Sequence, residues 1–374
     1  MAGVLAEHHD YLALKNRHAL YARAIAQVVR SGDVVADLGC GFGILGIQCL
    51  QAGAAHVIGI DRTDAIEIAR ETVSREGLGD HYTCIRASSF RAELPALVDV
   101  IICDHVGFFG VDYGIVEMLE DAHRRMLKPG GKVMPRRIVL QVAGVSSARC
   151  GDLARMWSQP PVPREYHWLD SYAANARHAV DLGAGDVCSP PVTLGSVPLG
   201  EDNPATLQFS ARIEVSHDGQ LHGLAGWFDC ELAEGVWMTN SPLAENSIRR
   251  SQAFFPLTTT LAVEKGELID VAFSIRHDHP IITWTLTVPR TGERQVMSTW
   301  KSTILTQADL AVQTGRNLRP NALARARKAL LALLDGTRNA AEIEAHLLTV
   351  EPPLFPTSAE LRRFVKAELG SVSE

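Results

Sequence analysis

The sequence predicts an α/β chain in three parts: a parallel sheet with helices on both faces, an antiparallel β-barrel domain, and a small helical C-terminal module. Three observations predict it. Up to about residue 132, short Val- and Ile-rich runs alternate with helix-patterned segments, as βαβ units do. From there to about residue 305 the runs are short, alternating and rich in Val, Thr, Leu and Ile, as in "ATLQFSARIEV", "ELIDVAFSIR" and "IITWTLTV", which is how half-buried antiparallel strands read. The remainder returns to helical spacing, punctuated by Gly and Asn.

Taken in order, residues 8–31 have helix-forming composition, with Leu12, Leu14, Leu20 and Ile25 spaced for one face. "DVVADLG" reads as a short buried strand, "ILGIQCLQAGA" as a helix and "HVIGID" (56–61) as a second strand. "DAIEIARETVSREGL" is a helix stopped at Gly77. "YTCIRA" and "DVIICD" are two more strands, and "IVEMLEDAHRRML" is a helix closed by "KPGG" (128–131), a turn signal. Residues 156–180 are Pro-rich and then helical, an excursion from the antiparallel part. In the tail, Leu323, Ala326, Leu330 and Leu334 fall on one helical face with Gly336 as a stop. Asn339 with Glu342, and Thr357 with Glu360, have capping-box spacing.

Composition narrows the function. The formal net charge is −7 and there is no dense Lys/Arg run, which argues against nucleic acid as a partner. No apolar run approaches the roughly 18–20 residues of a membrane span, and the opening "MAGVLAEHHDYLALKNR" carries charge too early for a signal peptide. Seven scattered cysteines with no CxxC pair read as free thiols in a reducing cytoplasm, so the expected location is cytoplasmic. His277 and His279 in "RHDHP" would share a strand face, yet no carboxylate-rich partner motif accompanies them. An exposed loop is the better assignment, and no metal is expected. The six tryptophans read as core and interface residues.

The stretch "VVADLGCGFGILG" (34–46) carries the chemistry. A strand, a glycine-rich turn and a helix open a nucleotide-binding βαβ unit. The dinucleotide pattern G-x-G-x-x-G is met at Gly39 and Gly41, but its sixth position is Ile44 and the third glycine comes early, at Gly43. That disfavours a nicotinamide dehydrogenase. A G-x-G-x-G turn suits a ligand that lies across the strand ends without a pyrophosphate, and S-adenosylmethionine is such a ligand. Asp37 precedes the turn, and Asp61 ends the next strand, placed for ribose hydroxyls. Candidate cofactor residues are therefore Asp37, Gly39, Cys40, Gly41, Gly43, Asp61, Arg62, Ser88, Ser89 and Asp104, with Arg17 added below; the product would be S-adenosylhomocysteine.

"VVADLGCGFGILGIQCLQAGAAHVIGID" resembles the cofactor segment of the protein arginine methyltransferase family. Upstream, His8, Arg17 and Tyr21 in "EHHDYLALKNRHALY" match the spacing of that family's N-terminal helix; downstream, "VDVIICDHVGFF" resembles its substrate loop, and "GLAGWFDCEL" and "MTNSPLAENSIRRSQAFF" its barrel. The likeness covers roughly residues 5–305. It implies N-terminal helices over the cofactor (1–30), a Rossmann-like domain (31–135), a β-barrel domain (136–308) with a dimerisation arm at about 156–182, a helical module (309–374), and a homodimer. It also implies that Arg17 holds the methionine carboxylate and that His8 and Tyr21 approach the substrate. The tail "LLALLDGTRNAAEIEAHLL" is similar to helical parts of small peptide-binding modules on tailoring enzymes.

The substrate half departs from the family. The family's two guanidinium-clamping glutamates fall on Asp104 and Tyr113, with Asp112 adjacent and Glu117 beyond; its Thr-His-Trp loop falls on Ile248, Arg249 and Arg250. A guanidinium stays charged in proteins, so one carboxylate and a phenol clamp it weakly. Arg249 and Arg250 would repel it and suit a substrate carboxylate instead. The sequence therefore predicts methyl transfer to a nitrogen, less readily an oxygen, of a small metabolite or peptide in a bacterial-type tailoring pathway. Asp104 or His105 would serve as base, and Tyr113 and Asp112 would orient the acceptor. The alternatives are a true arginine methyltransferase and an inactive cofactor-binding partner protein.

Overall fold

The computed structural model of the chain describes residues 2–14, 16–278, 281–306, 319–350 and 355–372. It separates into two units, Met1–Thr303 and Ile304–Glu374. The first opens with two helices, α1 (Ala2–Leu12) and α2 (Arg17–Val28), where composition suggested one helical run. Asn16 makes the break by taking a left-handed backbone, φ 61°, a conformation Asn tolerates better than most residues. α2 then buries Arg17, Tyr21, Ala24, Ile25 and Val28 on one stripe.

The parallel sheet is built from β1 (Val34–Leu38), β2 (His56–Asp61), β3 (Tyr82–Arg86), β4 (Val98–Cys103) and β5 (Leu127–Met134), with α3 (Ile44–Gln51), α4 (Ala65–Arg75) and α5 (Ile115–Met126) as crossovers. Strand order is β3-β2-β1-β4-β5. The chain reverses direction of travel between β1 and β4, so their carboxyl ends open a crevice. "KPGG" does not end the helix as a turn. Leu127 pairs with Val98 and Lys132 with Val100, so Lys128 to Gly131 bulge out of a strand that carries on, with Gly130 at φ 76°.

The following strands are β6 (Arg137–Val145), β7 (His178–Val180), β8 (Val192–Pro198), β9 (Thr206–Glu214), β10 (Gly219–Ala233), β11 (Val236–Thr239), β12 (Gln252–Val263), β13 (Leu268–Arg276), β14 (Ile281–Val288) and β15 (Glu293–Ser298). They pair as two antiparallel sheets rather than one closed barrel: β7-β12-β10-β6-β8 with β11 on β10, and β15-β14-β13-β9. Phe255 makes ring contacts with Phe109, Phe273 and Trp284 at 5.1–5.3 Å. Trp284 is wholly buried, and its indole N–H donates to the Pro256 carbonyl at 2.9 Å, which lets so large a polar-tipped side chain fill a core. Trp227 is also buried, whereas Trp157, Trp168, Trp237 and Trp300 are exposed. Between β6 and β7 the chain leaves the sheet as α6 (Ala148–Leu153), a 3-10 turn (Arg164–Leu169) and α7 (Asp170–Ala173).

His277 is buried, with its Nε2 against the Pro204 carbonyl at 3.0 Å, so it does not belong to an exposed loop; His279 lies outside the described residues. All seven thiols are free. Among the described residues no cluster of His, Cys, Asp and Glu is placed to hold a metal ion, and no helix is long and apolar enough to cross a membrane.

The second unit holds α8 (Ala322–Leu331), α9 (Ala340–Leu348) and α10 (Ser358–Val372) around Ala326, Leu330, Ile343, Leu347, Leu361, Phe364 and Val365. Asn339 and Glu342 cap α9 reciprocally, and the Thr357 hydroxyl accepts from the Glu360 amide. Leu323, expected on the buried face, is exposed, and Leu334 lies beyond the end of α8. The expected boundary at 308–309 falls outside the described residues. In denaturant titration, Trp284→Ala should cost about 3–5 kcal/mol of stability, against roughly 0.5 or less for Trp300→Ala on the surface.

Candidate active site

The turn after β1 is held open by its backbone. Gly39, Gly41 and Gly43 all have positive φ, 65°, 53° and 82°. A Cβ on Gly39 would lie 2.5 Å from the His105 ring, and one on Gly41 would lie 2.8 Å from His8 Nε2. So the turn faces two imidazoles at a distance only glycine permits. The Gly39 and Cys40 amides donate to the Ile60 carbonyl at 2.8 and 3.1 Å, and the Gly41 amide donates to Asp61 at 3.0 Å. Asp61 also accepts from the Thr63 amide and hydroxyl. Asp37 lies behind the turn and accepts from the Gly46 amide of α3 at 2.9 Å.

The other sequence-picked cofactor residues are more dispersed. Cys40 is buried, and burial pushes its thiol well up. Ser89 is buried, with its carbonyl accepting from Arg125 at 2.6 Å; the Ser88 carbonyl accepts from the Arg91 and Ala92 amides. Arg62 is exposed. Burial holds the His105 imidazole below its usual value; Asp61 opposes this, and Arg62 and Arg250 add to it. The ring is therefore neutral at pH 7. His8 stacks on Phe42 with ring centroids 4.1 Å apart.

Across the crevice, Asp104 is the residue that follows β4. Its carboxylate is fully engaged: Arg17 of α2 pairs with Oδ2, and the Tyr21 hydroxyl donates to Oδ1. Asp104 is thus not the free base expected from the sequence, because its charge is paired with Arg17 and its other oxygen accepts from Tyr21. Tyr21 is wholly buried and acts on Asp104 rather than reaching an acceptor. Arg17 keeps one donor over: Nη1 is buried and has no hydrogen-bond partner among the described residues.

The loop after β4 is tied in the same way. Asp112 accepts from the Phe109 amide at 2.9 Å and pairs with Arg177 at 2.8 Å, so it too is spent on structure rather than on an acceptor. Tyr113 is 44% exposed and packs edge-on to Phe108. Arg250 is buried; its Nη1 donates to the Tyr11 hydroxyl at 2.6 Å and to the Val106 carbonyl. Its guanidinium lies over the rings of Tyr11, Phe108 and Tyr113 at 4.9, 5.0 and 5.5 Å. Arg249 is exposed on a left-handed backbone, φ 58°, and so is not beside Arg250 in the site.

Four residues here escaped the sequence reading. Tyr11 lies one helical turn after His8, a spacing that would have found it. Phe108 sits inside the substrate-loop stretch, while Arg177 comes from the excursion and carried no signal. Asn240 is wholly buried: it accepts from the Phe228 amide and donates to the Phe108 and Ser251 carbonyls, each at 2.9 Å. Gln252 extends the pin to the Arg250 carbonyl.

These residues fit S-adenosylmethionine. The spare Arg17 donor suits its carboxylate, and the Asp61 carboxylate beside the glycine turn suits the ribose.

Asp37 supplies a pH signature. Burial raises its pKa from 3.8 to about 7, against the opposing Gly46 hydrogen bond. The native state therefore holds this proton where the unfolded chain has lost it, and stability from this group falls as pH rises across that window. Asp37→Asn keeps an oxygen for the Gly46 amide, so the variant should gain stability relative to wild type between about pH 4 and pH 7 in paired unfolding titrations.

Two family models match: "Methyltransferase domain" over residues 35–131 and "Arginine methyltransferase oligomerization subdomain" over residues 140–314. Among similar proteins, the histone-arginine methyltransferase CARMER of Anopheles gambiae is 27% identical over 287 residues, covering 71% of this chain and 45% of that protein. The probable protein arginine N-methyltransferase 6 of Arabidopsis thaliana is 35% identical over 141 residues, 37% of this chain and 32% of that protein. The chain thus spans less than half the length of either. Among solved structures, the Trypanosoma brucei PRMT1 enzyme-prozyme complex with AdoHcy aligns with TM-score 0.68 at 20% identity over 78% of this chain and 96% of that one. The Arabidopsis thaliana protein arginine methyltransferase 10 aligns with TM-score 0.67 at 21% identity over 79% and 98%. At that identity the structures establish the fold. The chain thus resembles the protein arginine methyltransferases in carrying a methyltransferase domain followed by an arginine methyltransferase oligomerization subdomain on this shared architecture.

Proposed function

We propose that the chain transfers a methyl group from S-adenosylmethionine to a nitrogen of a protein or peptide side chain, leaving S-adenosylhomocysteine. The observation that carries this is the positive-φ glycine turn with Asp61 at the mouth of the β1/β4 crevice, opposite the spare donor of Arg17. Bound there, the donor would supply an electrophilic methyl on a sulfonium. The chain's own residues would do the rest. Arg17 binds the carboxylate, Asp61 binds the ribose, and the aromatic rings of the loop exclude water and orient the acceptor. His105, kept neutral by burial, takes the proton from the acceptor nitrogen, since Asp104 is occupied.

The relatives named above are arginine methyltransferases, which favours an arginine acceptor over the small metabolite and tailoring pathway expected from the sequence. A second reading, an acceptor without positive charge, is favoured by one observation. The only acidic groups the loop offers, Asp104 and Asp112, are each neutralised by an arginine. Incubation with methyl-labelled donor and an arginine-glycine-rich peptide separates the two. Guanidine labelling lost in Asp104→Asn supports arginine. An unlabelled peptide, with S-adenosylhomocysteine still binding by calorimetry, supports the uncharged acceptor. Absence of cofactor binding sinks both.

A homodimer is proposed for the same reasons as a family likeness and for one more: Met156, Trp157, Tyr166 and Trp168 are all exposed on the excursion, a density of apolar surface that monomers rarely display. Light scattering should give twice the chain mass, and Trp168→Asp should halve it. The free thiols accord with a reducing, cytoplasmic setting.

A further inference from the structure

We propose that Arg250 anchors an anion-binding subsite beside the acceptor position, so that the substrate presents a carboxylate, or a similar singly charged oxyanion, close to the atom that receives the methyl group. The proposal rests on the methyl-transfer reading above but not on which nitrogen is methylated.

Charge pairing sets Arg250 apart from its neighbours. Three guanidiniums meet around the loop after β4. Arg17 has Asp104 and Arg177 has Asp112. Arg250 is 8% exposed and has no carboxylate in ion-pair range among the described residues. It also feels Arg17 as a neighbouring positive charge. A buried cation without a counter-ion is costly, and neutral partners offset only part of that cost. Here those partners are the Tyr11 hydroxyl, the Val106 carbonyl and three aromatic faces.

Geometry gives the ligand class. Both hydrogen bonds that hold Arg250 leave from Nη1. Nε and Nη2 donate to no protein group among the described residues. Those two N–H groups form one edge of the guanidinium fork, the edge that meets both oxygens of a carboxylate in parallel. Tyr113, half-exposed and packed edge-on to Phe108, offers a flat apolar wall next to it. The backbone is fixed at the same point, because Gln252 donates to the Arg250 carbonyl at 2.8 Å. A guanidinium held on one side by the fold, with its carboxylate-matching edge unused, is a receptor for an anion.

The test uses the full chain saturated with S-adenosylhomocysteine, whose binding is first measured by calorimetry. Failure there removes the methyl-transfer reading itself. Hippurate, its neutral amide and benzamidine are then titrated by ligand-observed NMR. Hippurate should bind at least about tenfold more tightly than the amide, and benzamidine more weakly than either. Arg250→Gln should abolish the preference for hippurate while still binding S-adenosylhomocysteine, and Arg250→Lys should restore part of it. Equal binding of hippurate and amide, tighter binding of benzamidine, or no hippurate binding to the cofactor-saturated protein overturns the proposal. So does a preference that survives in Arg250→Gln. If Arg250→Gln fails to fold, the wild-type comparison decides alone.

Discussion

Arg17 and Asp104 form a buried ion pair, completed by the Tyr21 hydroxyl on the same carboxylate, and most of the site hangs from it. A buried pair is worth little unless its remaining hydrogen-bonding capacity is met. Tyr21 meets it on the acid side, while Arg17 retains one unused donor. The pair fixes α2 over the carboxyl end of β4. The turn at Asn16 then brings α1 across the crevice, so that Tyr11 reaches both the Asp104 carbonyl and Arg250. Residues 239 positions apart in the chain touch as a result.

The loop after β4 is fastened from three directions. Arg177 grips it through Asp112 from the excursion, Asn240 through the Phe108 carbonyl from the segment after β11, and Arg250 through the Val106 carbonyl. Only the first is an ion pair. The other two are donors on main-chain carbonyls, which hold a loop's path without adding negative charge to it. The outcome is a loop whose acids are cancelled and against which Arg250 places a positive charge. A guanidinium needs the reverse, a negative charge left free to face it.

The two halves also differ in how they restrict sequence. Around the cofactor turn the constraint is on space, since side chains on Gly39 and Gly41 would collide with His105 and His8. Around the loop after β4 the constraint is on partners, since each charged group is defined by what faces it. Substitution at the first kind of position closes the cradle. Substitution at the second changes what the site attracts.

Local pattern was enough to read the parallel sheet, the glycine turn and Asp61, because helix and strand periodicities and positive-φ turns are written in neighbouring residues. It also placed Asp104 and Tyr113 where the resembled family carries two acids. It could not show that "KPGG" would bulge within β5, that helical composition over 8–31 would break at Asn16, or that the antiparallel strands would pair as two sheets; those outcomes depend on partners elsewhere in the chain. Above all it misread Asp104, Asp112, Tyr21 and Arg249. Whether a carboxylate is a free base or half of an ion pair depends on which arginine folds against it, and Arg17 and Arg177 arrive from the N-terminal helix and the excursion. Sequence determined which chemical groups are present and where the cofactor turn lies; tertiary structure alone decided which charges cancel, because pairing energies fall off over a few ångströms and distance is set by the fold.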